Sequence, residues 1–134
     1  MAAFPQTNKL AAYSSTAAHG GVAAADPHRL VVMLMDGAIE RIRAAQGCIA
    51  HGQMGEKAQL IHRAVAIIGE LNASLDLSAG GQVAANLSEL YDYMIRRLLT
   101  ATLENKVEML DEVGKLLHDI RDSWISIPAE ARSK

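Results

Sequence analysis

The run from Asn105 to Ile125, NKVEMLDEVGKLLHDIRDSWI, decides the fold class. With residues stepped around a helix at about 100° each, Leu110, Val113, Leu116, Leu117, Ile120 and Trp124 fall within roughly 120°. Glu108, Asp111, Lys115, His118, Asp119 and Asp122 take the other side. This is an amphipathic helix with one face to bury and one to wet. Asn105 reads as its N-cap and Glu108, three residues on, as the capping-box partner. Pro128 lies just past its end.

The prolines are Pro5, Pro27 and Pro128, and no proline interrupts the chain between the last two. That spacing favours long helices. Asp26-Pro27 supplies an N-cap and a first helical residue that needs no amide donor. The pattern predicts a first helix to about Ala50, ending near Gly52 and Gly55. A second runs from about Glu56 to Leu75 and is broken by Ser78-Ala79-Gly80-Gly81. A third runs from about Gln82 to Leu103. Short connections make neighbouring helices antiparallel. The predicted fold is all-α, an antiparallel four-helix bundle over residues 26–127. Residues 1–25 form an arm and 128–134 a C-terminal tail.

The arm differs in composition. Ala, Ser, Thr and Gly dominate Ser14 to Ala25, including Gly20-Gly21, which reads as mobile chain. Within the arm, Asn8 to Tyr13 has room for about a turn and a half of helix, with Leu10 and Tyr13 on one face. A frayed terminus is the simpler reading of the same residues.

Composition excludes several classes of function. Of 134 residues, 50% are hydrophobic, enough for a core and too many for wholesale disorder. The 4% aromatic share disfavours a β-sandwich. Thirteen basic against fifteen acidic residues leave no basic excess for nucleic acid or anionic lipid. A single cysteine, Cys48, excludes an internal disulfide framework and a Cys-rich zinc site. No apolar run approaches the roughly 20 residues of a membrane span. Pro5, Gln6, Asn8 and Lys9 interrupt any signal-peptide core. The expectation is a soluble cytoplasmic domain.

The first three helices carry broader apolar faces than the fourth. Leu60, Ile61, Ala64, Val65, Ile67, Ile68, Leu71 and Leu75 spread over roughly 160° of the second helix. Val83, Leu87, Leu90, Tyr91, Met94, Ile95, Leu98 and Leu99 spread over roughly 180° of the third. A bundle helix packs on two neighbours, so plain core accounts for much of this width. The flanks, such as Ile61, Val65, Ile95 and Leu99, are candidates for an apolar groove open to a partner helix or to the arm.

Catalytic and metal chemistry find no constellation. Di-iron bundles need Glu-x-x-His pairs, and none of the five histidines stands three after a Glu or four from another His. Cys48 falls at the apolar edge of its helix, where a packed small residue is the plain reading. No Gly-rich phosphate loop follows a strand. His62 lies on a polar face, as in phosphotransfer bundles, but the run His62-Arg63-Ala64-Val65-Ala66 lacks the small-residue turn with Gly that gives a docking domain access. No enzyme activity, metal or cofactor is expected.

Several runs together resemble the flagellin-specific export chaperone family, FliS. Met33-Leu34-Met35-Asp36-Gly37-Ala38-Ile39 is similar to that family's Met-Leu-aromatic-Asp-Gly signature. Arg63-Ala64, Ile67-Ile68, Glu70-Leu71 and Leu75-Asp76 follow in the family's order. The most specific stretch is Gly80 to Met94, GGQVAANLSELYDYM. Glu112-Val113, Leu116-Leu117, Ile120 and Trp124 complete the match, which spans Leu10 to about Trp124. Met35 replaces the usual Tyr or Phe, Thr102 a common Asn, and Lys106 a common acidic residue.

The resemblance implies a non-enzymatic cytoplasmic chaperone. Its partner would be the disordered C-terminal segment of flagellin, kept from premature polymerisation and passed to the type III export apparatus. It also implies that Leu10 and Tyr13 cap the empty groove and, once displaced, contact the export gate protein. Folding a segment on binding costs roughly 2–5 kcal/mol, against about 1.5–3 kcal/mol for each fully buried Leu or Ile. Many anchors are therefore required, and the substrate should wrap over an extended surface. The groove is expected at Met35, Ile39, Ile61, Val65, Ile68, Tyr91, Ile95 and Leu99. The other reading is an interaction module for another flagellar export substrate or regulator. The oligomeric state is left open.

Overall fold

The computed structural model describes residues 26–128. Four helices follow in order: α1 (Pro27–Ala50), α2 (Met54–Ala73), α3 (Leu77–Glu104) and α4 (Val107–Ile125). No strand occurs among the described residues. α1 packs on α2 and α4, and α3 packs on α2 and α4, so the helices form a ring without close diagonal contacts. The predicted all-α bundle is observed.

The core follows from residue spacing. On α2, Lys57, Ile61, Ala64, Ile68 and Leu71 are buried at alternating steps of four and three. On α3, Tyr91, Met94, Leu98 and Ala101 repeat that rhythm. It keeps one seam facing the neighbouring helices along their length. Ile42 and Ala45 of α1 and Leu110, Val113 and Leu117 of α4 fill the centre, all without measurable exposure. Cys48 is a buried part of the apolar interior.

The start of α1 is as read from sequence. Asp26 is the N-cap, its carboxylate accepting from the His28 amide at 3.0 Å, and Pro27 is the first helical residue. The start of α3 departs from the reading. Leu77 to Gly80 already form a helical turn, capped by Asp76 through the Ala79 amide at 3.1 Å and the Ser78 hydroxyl at 2.9 Å. Those two bonds hold the Asp76 carboxyl below its ordinary pKa, the backbone amide first. The axis then kinks at Gly81 (φ 57°, ψ −133°), a backbone conformation that side chains disfavour.

Chain closure explains the kink. Asn72 of α2 bonds Asp92 of α3 at 3.0 Å. A straight α3 would carry Leu77 roughly 22 Å up the axis from Asp92, since each residue rises 1.5 Å. The chain from Asn72 to Leu77 reaches at most about 18 Å fully extended. The first turn must fold back, and Gly81 lets it.

The third-to-fourth connection corrects the sequence reading. Asn105 does not cap α4; it ends α3 in the left-handed conformation (φ 55°, ψ 38°). Its amide donates to the Ala101 carbonyl at 2.8 Å. Lys106 is the N-cap of α4 and makes no side-chain cap bond. The capping box with Glu108 is not formed.

Three ties close α1 onto α4, one of them the ion pair of Arg43 with Asp111 at 3.7 Å. Asp36, from the Met33–Ile39 run, receives Arg121 in a forked ion pair. His28 and Trp124 stack at 5.0 Å with a 12° tilt and exchange bonds with each other's backbone. His28 Nε2 donates to the Trp124 carbonyl at 2.7 Å, and Trp124 Nε1 donates to the His28 carbonyl at 2.9 Å. A carbonyl only accepts, so the imidazole carries its proton on Nε2.

Candidate functional site

Two rows of apolar side chains run along α3 and diverge. The core row, Tyr91, Met94, Leu98 and Ala101, alternates threes and fours and stays on the seam. Ile95, Leu99 and Leu103 step by fours, which turns each about 40° further round the helix. Exposure rises along that row. Ile95 is half-buried, Leu99 is 45% exposed and Leu103 is 83% exposed.

The row faces the α2 side. Asn72 and Asp92 are bonded, so the flanks that carry them adjoin. Val65 lies two turns before Asn72 on its flank, and Ile95 and Leu99 lie one and two turns after Asp92 on theirs. By helical position, Val65, Ile95, Leu99 and Leu103 therefore fall along one apolar strip beside the α2–α3 seam, the candidate groove. Met54, partly exposed, extends it at the start of α2.

Polar ties bracket the groove. Asn72–Asp92 closes one end. Lys57 closes the other: it is only 4% exposed, and its ammonium donates to the Thr102 carbonyl at 2.8 Å and to Asn105 Oδ1 at 2.5 Å. Neither acceptor is a carboxylate. Thr102 is in the last turn of α3, where carbonyls lack helical partners and attract a cation.

The expected groove residues divide into three places in the fold. Met35, Ile61, Ile68 and Tyr91 belong to the core cluster and are at most 2% exposed. Their place in a surface groove is corrected: they take the central positions of their stripes, where neighbouring helices cover them. Burial also pushes the Tyr91 hydroxyl up to about 12. Ile39 is half-buried but elsewhere, standing between Asp36 and Arg43, the two α1 residues paired with Arg121 and Asp111 of α4. It lies on the α1–α4 seam. Val65, Ile95 and Leu99 remain together. Leu10 and Tyr13 fall outside the described residues.

α3 has a second apolar flank. Tyr93 donates to Glu112 Oε2 at 2.5 Å and Arg97 Nε donates to Glu112 Oε1 at 2.9 Å, clasping α3 to α4. The Tyr93 hydroxyl, with Arg97 beside it, lowers the Glu112 carboxyl, and that carboxylate in turn raises Tyr93. Towards the start of α3, Leu87 and Leu90 pack beside the core with Leu116 and Ile120 of α4 in the same half-buried shell, and Val83 is 69% exposed.

Sequence reading missed Lys57, Met54, Leu103 and Val83 as parts of this surface. The step-by-four row Ile95–Leu99–Leu103 was the available signal for Leu103. Lys57 carried none, because its partners lie more than forty residues away.

Catalytic alternatives find no footing. Burial raises the Cys48 thiol, with Glu56 adding to it, which disfavours the reactive thiolate. The described residues contain no group of three or more His, Cys, Asp or Glu able to hold a metal ion. No helix among them is long and apolar enough to cross a membrane.

A family model described as flagellar protein FliS matches residues 8–131. The chain belongs to the FliS family. FliS relatives include flagellar secretion chaperone FliSB of Pseudomonas aeruginosa, 42% identical over 115 residues, covering 86% of this chain and 91% of that protein. Flagellar secretion chaperone FliS of Salmonella typhimurium is 41% identical over 121 residues, 90% of each chain. The Bacillus subtilis FliS is 37% identical over 100 residues, 75% of this chain and 74% of its own. FliS proteins are chaperones, not enzymes. Membership makes this chain a flagellar export chaperone, a protein that holds an export substrate.

Proposed function

We propose that this FliS chain binds the disordered C-terminal segment of flagellin in the cytoplasm, prevents its premature polymerisation and aids delivery to the type III export apparatus. The observation that carries the reading is the apolar groove of Val65, Ile95, Leu99 and Leu103, with a second apolar flank across α3. A helix-forming segment with apolar anchors at helical spacing fits such a surface.

The magnitudes require length. Ordering a disordered segment costs roughly 2–5 kcal/mol, and association adds its own loss of freedom. Completing the burial of Leu99 and Leu103 alone gains about 2–4 kcal/mol, from 1.5–3 kcal/mol per fully buried side chain. Two anchors therefore only offset the ordering. Useful affinity draws on both flanks of α3, so the substrate wraps around that helix. Leu10 and Tyr13 of the arm compete for the groove and, once displaced, contact the export gate.

Calorimetric titration with the C-terminal segment of flagellin from the same genome tests this. One-to-one binding with a gain in helicity and a negative heat-capacity change is expected. Removing residues 1–13 should leave flagellin affinity equal or tighter and weaken gate binding by the loaded complex. No binding at tens of micromolar by folded protein would redirect the search to another flagellar export substrate or regulator.

A further inference from the structure

We propose that Lys57 is a positioning residue for the apolar groove, holding the last turn of α3 and the left-handed turn at Asn105 in the geometry that presents Leu103. The inference rests on the flagellin-binding reading above. Three locally unfavourable choices meet at this corner. Asn105 is the one described residue other than glycine with a positive φ, where glycine would sit without strain. α4 starts without a side-chain cap. Lys57 takes an ammonium out of water without a carboxylate to pair it, where a methionine would fill similar volume with no charge to desolvate.

Such departures from local preference concentrate where function constrains a fold. Both acceptors of Lys57 adjoin the groove. Thr102 precedes Leu103, the most exposed of the large hydrophobic side chains among the described residues, and Leu99 lies one turn earlier. The ammonium pins the Thr102 carbonyl, which the helix itself leaves unpartnered, and the Asn105 side chain, which keeps the chain from unwinding past Glu104. Without it the final turn frays and Leu103 loses a fixed direction. A fixed anchor loses less freedom on binding than a frayed one.

The test uses the full chain and a synthetic C-terminal flagellin segment, titrated into wild type, Lys57→Met, Asn105→Gly and the double variant. Lys57→Met should weaken binding about tenfold, while its melting midpoint stays within about 5 °C, because Asn105 is exposed and Thr102 only half-buried, so water takes the acceptors that the ammonium leaves. Amide exchange at residues 102–105 should accelerate while the α2 core amides stay protected. Adding Asn105→Gly should restore binding to within about threefold of wild type, since glycine holds the left-handed turn unaided. Wild-type affinity in Lys57→Met, no rescue by the double variant, or a large fall in melting midpoint overturns the positioning role while the flagellin reading stands. A wild-type protein that does not bind the segment overturns both.

Discussion

Exposure along the Ile95–Leu99–Leu103 row ranks the effects of truncation. Leu99 is 45% and Leu103 is 83% exposed in the free protein. Only the exposed fraction is left for a ligand to bury. Taking about 1.5–3 kcal/mol for a fully buried leucine, Leu99→Ala should cost roughly 0.7–1.4 kcal/mol of binding and Leu103→Ala roughly 1.2–2.5 kcal/mol. At 1.4 kcal/mol per decade these are about three- to tenfold and eight- to sixtyfold losses in affinity. Leu103→Ala should leave stability nearly unchanged, because little packing is removed and alanine is the better helix former, whereas Leu99→Ala should also cost roughly 0.8–1.6 kcal/mol of folding stability for the part of its side chain already buried. Ile61→Ala, on the same seam but 1% exposed, should do the reverse. It should cost about 2–5 kcal/mol of folding stability through the cavity it leaves. Thermal melts and calorimetric titration of the three variants separate these effects. Equal affinities for Leu99→Ala and Leu103→Ala, both within twofold of wild type, would show that substrate does not cover this row.

Other consequences follow from backbone and charge. Gly114→Ala should raise stability by up to about 1 kcal/mol, read by urea titration, because helical glycine is costly. The added methyl meets the Ile42 and Arg43 side chains at an ordinary 3.6 Å. Gly81→Ala should lower it by about 1–3 kcal/mol, because φ is 57° there and chain closure forbids relaxing to a straight helix. Acid should destabilise the bundle through Asp76 and Glu112, whose folded pKa values lie below the ordinary 3.8 and 4.5. A lowered folded pKa gives stability that is complete above the unfolded value and lost as pH falls through the folded one. The decline should begin below about pH 4.5 in melts across pH 7 to 2, and Glu112→Gln should flatten the part due to that residue.

What could be read from sequence was local. Asp26-Pro27 marks the start of α1 because cap and proline act within a few residues of the helix they begin. The stripes on α2 and α3 gave the core because period alone places Ile61, Ile68 and Tyr91. The same width made them look available to a ligand, since helical angle says nothing of how far a neighbour reaches around. Asn105 has the side chain of an N-cap, but it ends α3 instead, and the donor that engages that side chain, Lys57, comes from α2. Gly81 was recognised as a break, yet the helical turn before it follows from the distance between Asn72 and Asp92, which no local rule contains. Met54 and Val83 look like any other apolar residue near a helix end until the neighbouring helices are in place.

The clasp between His28 and Trp124 makes the closing of the ring visible. Trp124 is the single tryptophan of the chain. Its indole stacks on an imidazole at the junction where the chain enters and leaves the bundle. Separating α1 from α4 removes that stacked neighbour and both backbone partners at once. Emission from one unlabelled fluorophore therefore follows the state of the joint between first and last helices. Any partner that pries this end apart carries its own optical signal.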